Sequence, residues 1–163
     1  MWKSFKFAIA AALFSAVYLI ATPAPAQVLN DLNVHTLREI ISDEGYRAKL
    51  VKGKFLLTNL GGAKAIVKTF GCNKENVSCK GFYARVYFGG KKNNVTFRLD
   101  TLNKWSGNKR FGRVHLDKDK DLVLTHNVFV DAQVSKKFYK SQFLLVDSVF
   151  RSFKKFMVEQ TKN

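Results

Sequence analysis

The sequence predicts an α+β fold: an antiparallel sheet of five to six strands with helices packed on it, in the order α-β-β-β-β-α-β-β-α. Three observations predict it. Between Tyr46 and Phe88 the apolar residues fall in strand-like runs separated by glycine turns. Three other stretches carry apolar residues at helical spacing, and a second pair of strand-like runs flanks the charged turn Asp117–Asp121. Antiparallel strands interrupted by helices place the helices over one face of the sheet.

The first helix starts at an Asn33 cap, puts Val34, Leu37, Ile40 and Ile41 on one face, and stops at Gly45, a residue that accepts the left-handed backbone of a helix end. Four strands follow: Tyr46–Val51, Phe55–Leu60, Ala63–Phe70 and Phe82–Phe88, joined by Lys52-Gly53, Gly61-Gly62 and a cysteine loop. Gly89–Asn94 breaks the meander. A second helix carries the stripe Val95, Leu99, Leu102 and Trp105 and ends at Ser106-Gly107-Asn108. The next hairpin, Arg110–Leu116 with Leu122–Val130, can be read at register level, because pairing Leu116 with Leu122 also pairs Val114 with Leu124 and Gly112 with His126. One of its faces is then apolar; the other carries Arg113, His115, Thr125 and Asn127. A closing helix, Ser135–Val158, has the stripe Phe138, Gln142, Leu145, Val146, Val149, Phe153, Phe156 and Met157. Most of the fifteen phenylalanines sit on these inferred core faces, which favours a packed core over a base-stacking platform.

Residues 1–26 read as a secretory signal peptide. Lys3 and Lys6 form the basic start, Phe7–Ala21 the apolar stretch, and Ala24-Pro25-Ala26 the small-residue cleavage site before Gln27. No cysteine follows the site to take a lipid, and the stretch is shorter than the roughly 20 apolar residues that span a bilayer. Retention as an uncleaved anchor is the alternative, which Pro23 and Pro25 disfavour. The expected product is a periplasmic or secreted chain, residues 27–163, of a length that fits one domain. The leader holds two of the 28 basic residues and none of the 12 acidic ones, so the net charge falls from +16 to +14 on cleavage. After export the polyanions that such a chain meets are anionic lipid, lipopolysaccharide, cell-wall polymers and acidic proteins, and nucleic acid becomes a weak choice. The alternative is a basic surface with no specific partner.

Cys72 and Cys79, an even count in an exported chain, point to a disulfide closing the turn between two strands. Zinc would need about four ligands, and a redox pair would show two-residue spacing. Asp117-Lys118-Asp119-Lys120-Asp121 begins like a calcium loop but has Leu122 and Val128 where glycine and a bidentate acid are required. His35, His115 and His126 are too dispersed for a metal motif, and His126 reads as a core histidine. Asn76-Val77-Ser78 and Asn94-Val95-Thr96 match the glycosylation tripeptide only as chance matches would. No nucleophile elbow or carboxylate pair is present, so no catalytic, cofactor or metal residue is assigned.

The stretch Thr101–Ser106, then Arg110–Asp117 and Leu122-Val123-Leu124, resembles the YbjN domain family, bacterial proteins described as sensory transduction regulators. The motif residues are Asn103, Trp105, Arg110 and Phe111, and the likeness covers the whole mature chain. Ser106 and Asp131-Ala132 stand where the family has an asparagine and a glycine pair. The resemblance implies a fold similar to type III secretion chaperones, which bind partner proteins and have no enzymatic activity. Residues and resemblance together lead to an exported, non-enzymatic, chaperone-like binding or regulatory module of the bacterial envelope that engages a protein partner. The alternative is a basic envelope or stress protein held on anionic lipid or lipopolysaccharide; a hydrolase of envelope polymers ranks last. The densest basic cluster, Lys136, Lys140, Arg151, Lys154 and Lys155 on the closing helix, is the expected anionic-surface contact. Trp105 and Phe111 are both expected in the core.

Overall fold

A computed structural model describes residues 28–29, 31–88, 98–130 and 133–160. Residues 1–26, read above as a signal peptide, the Gly89–Asn94 break, Val95, the second glycosylation tripeptide and Asp131-Ala132 lie outside the described residues. The architecture is α+β, as expected. In chain order the elements are β1 (Val28–Leu29), α1 (Val34–Asp43), β2 (Lys49–Val51), β3 (Phe55–Leu60), β4 (Ala63–Phe70), β5 (Gly81–Phe88), α2 (Leu99–Asn108), β6 (Arg113–Leu116), β7 (Leu122–Phe129), β8 (Val134–Ser135) and α3 (Lys136–Gln160). Six strands form one antiparallel sheet in the order β2-β3-β4-β5-β7-β6. A separate two-residue ribbon, β1 with β8, was not expected; pairs this short leave no periodicity to read.

Local chemistry sets the boundaries. The Asn33 side chain accepts hydrogen bonds from the backbone N–H groups of His35 and Thr36, capping α1, and Gly45 turns the chain with φ +81°. The turn between Leu60 and Ala63 has φ +60° at Gly61 and +75° at Gly62, the conformation that a two-residue hairpin with the native twist requires. The β6–β7 register is the expected one, Leu116 opposite Leu122 and Val114 opposite Leu124. Its start is corrected: the ladder begins at Arg113, because Gly112 at φ +86° turns the chain out of strand geometry before it can pair with His126.

Alternation sorts the sheet into two faces. Leu56, Val67, Ala84 and His126 lie in one row across β3, β4, β5 and β7, and this face meets all three helices in the core. Leu37, Ile40 and Ile41 come from α1, Leu102 and Trp105 from α2, and Tyr139, Phe143, Val146, Phe150 and Phe153 from α3. Burial of each of these large side chains stabilises the fold by roughly 1.5–3 kcal/mol.

Two stripes are corrected. Leu99 is 65% exposed, so the α2 stripe begins at Leu102. The α3 stripe is rotated: Tyr139, Phe143 and Phe150 are buried, whereas Gln142 and Leu145 are only partly so. The cause is Asp147, a buried acid in the middle of the true core face, which makes that face look interrupted in sequence. Its carboxylate accepts a 2.7 Å hydrogen bond from the Gly61 N–H and a 2.6 Å bond from Arg151. Tyr46 packs beside it, and burial first, then the Asp147 charge, raise the Tyr46 phenol above its ordinary range.

Candidate binding face and cleft

With the helices on one side, the other face of the sheet carries the alternate residues, of which Val123 and Thr125 on β7 are buried and others are exposed. One row crosses all six strands: Lys49, Leu57, Ile66, Arg85, Thr125 and Arg113. A neighbouring row carries Lys68, Tyr83 and Asn127. Leu57, Tyr87 and Phe129 on this face are exposed, Phe129 by 73%. None of the residues in the six strands is acidic, so the face carries positive charge with no carboxylate among its strand positions.

Arg85 is held in place near the middle of that row. Its Nε donates to Thr125 Oγ1 and one terminal nitrogen donates to the Tyr87 hydroxyl, both at 3.2 Å. Its guanidinium also stacks on the Tyr83 ring at 4.7 Å, so three neighbours fix the orientation of the fork. His115 flanks this region; burial first, then Arg113 and Arg85, lower its pKa below the ordinary value, and its Nδ1 is buried without a hydrogen-bond partner among the described residues. Phe70 and Phe129 pack edge to face at 5.0 Å across Gly81.

The face continues into a cleft of about 400 Å³ at the outer edge of β7, where Lys109, Arg110, Phe111, Arg113, His126 and Asn127 are among the lining residues. Because β6 stops at Arg113 opposite Thr125, the stretch His126–Phe129 of β7 pairs with β5 on one side and has no ladder partner on the other among the described residues. The cleft lining includes three cations and no acid.

The family-motif residues separate. Trp105 is 2% exposed and packs edge-on against Phe153 at 4.9 Å. The placement of Phe111 in the core is corrected: it is 44% exposed, with its ring 6.0 Å from His126, because the turn at Gly112 carries it to the cleft rim. Asn103 and Arg110 are exposed, and Arg110 joins Phe111 at the cleft. His126 is 6% exposed on the apolar face, and burial lowers its pKa.

The cationic residues singled out on the closing helix are each engaged within the chain. Lys136 pairs with Asp43 at 2.6 Å and Lys140 with Glu44 at 2.7 Å, tying α3 to the end of α1. Arg151 pairs with Asp147, Lys155 lies 4.0 Å from Glu159, and Lys154 Nζ donates to the Gly62 carbonyl at 3.3 Å. Cys72 and Cys79 are joined, with Cα atoms 3.7 Å apart, and the Cys79 N–H donates to the Leu32 carbonyl. Sequence reasoning passed over Lys109, Arg85 and Arg113 as binding residues. For Arg85 and Arg113 the signal is the absence of acids from the strands, not the density of lysines on a helix, whereas Lys109 follows α2 and only the fold brings it to the cleft.

No group of histidine, cysteine and acidic side chains among the described residues is arranged to hold a metal ion. No helix among them is long and apolar enough to cross a membrane. A family model, YbjN, with the description "Putative bacterial sensory transduction regulator", matches residues 24–156. No curated protein and no solved structure matches the chain.

Proposed function

The chain belongs to the YbjN family of bacterial regulators, and from that premise we propose that it is an exported, non-enzymatic, chaperone-like module of the envelope that acts by engaging a protein partner. The observation that carries this reading is the one-sided sheet. Three helices pack on one face, while on the other Leu57, Tyr87 and Phe129 are exposed among cations and within reach of a partner. Mixed apolar and cationic surface of this kind suits protein recognition, where apolar contact supplies affinity and charge supplies selection. Cleavage after Ala26 and closure of the Cys72–Cys79 bond are part of the same proposal, since an oxidising compartment preserves such bonds.

Two measurements test it. Intact mass of the protein from the soluble periplasmic fraction should show a chain starting at Gln27; a species retaining residues 1–26 in the membrane pellet would overturn export. A photo-crosslinking residue in place of Leu57 should give one discrete protein adduct in envelope extracts, and the same residue at Lys137 on α3 should not. Exclusive crosslinking to lipid or lipopolysaccharide from Lys137 would instead support association with an anionic surface. That reading is less favoured because α3 spends Lys136, Lys140, Arg151 and Lys154 on contacts within the fold.

A further inference from the structure

We propose that the stretch His126–Phe129 of the β7 edge, which has no ladder partner on its outer side among the described residues, docks with the adjoining cationic cleft an extended acidic segment of a partner protein as an added strand. This rests on the reading of the chain as a protein-binding module and names the chemistry of what it binds.

Three features converge there. First, β6 leaves the sheet at Gly112, so β7 runs on past Thr125 with alternate backbone N–H and C=O groups directed away from β5. A strand edge of that kind is a template for another extended chain. Second, a segment lying along it in continuation of β6 passes Arg113, Arg110 and Lys109, which line the cleft without an acid among them. Guanidinium groups pair with carboxylates in a planar, two-bond geometry, so acidic side chains are the complement. Third, apolar ledges flank the charges: Phe111 at 44% exposure on one side of the edge and Phe129 at 73% on the other. Side chains of an added strand alternate between these two sides.

Other occupants fit less well. Base stacking needs free ring faces, but Arg85 covers the Tyr83 ring and Phe129 packs on Phe70. A membrane surface would want a contiguous apolar patch, whereas here cations separate the apolar residues. A second copy of this chain would bring the same cations against one another.

The test is fluorescence anisotropy with a labelled peptide of alternating Glu and Val, beside a peptide of equal charge alternating Glu and Pro, which cannot donate ladder hydrogen bonds. The Glu-Val peptide should bind the parent protein, weaken with salt, and slow amide exchange within His126–Phe129. The exposed pair Arg110→Gln/Arg113→Gln should weaken it by about tenfold or more, whereas Lys154→Gln/Lys155→Gln should stay within about twofold. Unchanged melting of both variants keeps the comparison one of binding. Equal affinity for the Glu-Pro peptide, protection outside β7, unchanged binding by the arginine variant, or no binding to the parent would each overturn the proposal. So would amide protection at His126–Phe129 by self-association alone, or displacement of the peptide by a single-stranded oligonucleotide or phosphatidylglycerol vesicles. A discrete protein adduct from position 57 alongside any of these results would leave the binding-module reading standing and move the site elsewhere.

Discussion

Asp147 on α3 accepts a hydrogen bond at 2.7 Å from the backbone N–H of Gly61, 86 residues earlier, at the turn between β3 and β4. A carboxylate thus serves as a cap for a hairpin turn in another part of the chain. The same turn leaves no room for a side chain, since a Cβ on Gly61 would lie 2.5 Å from the backbone nitrogen of Arg151 and from the Phe150 side chain. Helix and turn are therefore fitted to one another by both a polar contact and a close approach.

Asp147→Ala should destabilise the protein by about 2–3 kcal/mol, because the Gly61 N–H is left buried and unpaired. Gly61→Ala should cost more than Gly53→Ala: both have positive φ, worth roughly 1–2 kcal/mol, but only Gly61 also collides with α3, while a Cβ at Gly53 meets nothing within 4 Å. Urea midpoints of the three variants check the order.

Trp105→Ala should cost about 3–5 kcal/mol, the loss expected when a buried aromatic is removed from a packed cluster. Phe111→Ala should cost about 1 kcal/mol or less, since it stands at the cleft rim with 44% exposure. Thermal melts distinguish them; equal losses would put Phe111 in the core after all.

Cys72→Ser should lower stability by roughly 2–3 kcal/mol by releasing the closed loop. In the unreduced, denatured parent, neither Cys72 nor Cys79 should react with a thiol reagent. Quantitative labelling of both would show that the bond is not formed in the isolated protein.

Acid should destabilise the fold in a defined window. Burial holds His126 below its ordinary value of 6.5, and burial with Arg113 and Arg85 does the same for His115. Each group binds its proton more readily once unfolded, so the stability is present above about pH 6.5 and is lost as pH falls through the lower folded values. His126→Leu should flatten that part of the urea-midpoint profile above pH 5, where carboxylates are still largely ionised. An unchanged slope would mean that His126 binds its proton equally well in the folded and unfolded chain.

What could be read in the sequence was whatever short-range pattern decides. Asn33 and Gly45 marked α1 because capping is local, and the β6–β7 register followed from where two apolar faces can coincide. The α3 face was misjudged by about one position because a core aspartate looks like a solvent residue until its partner at Gly61 is known. The lysines of α3 looked free for the same reason: Lys136 and Lys140 meet Asp43 and Glu44, acids on an element far away in the chain. The acid-free strands were visible in the sequence, but only the cross-strand order turns separate cations such as Lys49, Arg85 and Arg113 into one row.

The last helix also governs when the fold can form during synthesis. Tyr139, Phe143, Val146, Phe150 and Phe153 are the α3 side of the core, and nothing earlier in the chain replaces them against Phe82 or Trp105. A nascent chain that has not yet released Phe153 from the ribosome holds a sheet with its apolar side still wet, so local pairing precedes closure of the core. Closure of the core is thereby deferred until α3 has been made. Until then the apolar side of the sheet stays open to water and to any chaperone that binds exposed apolar surface.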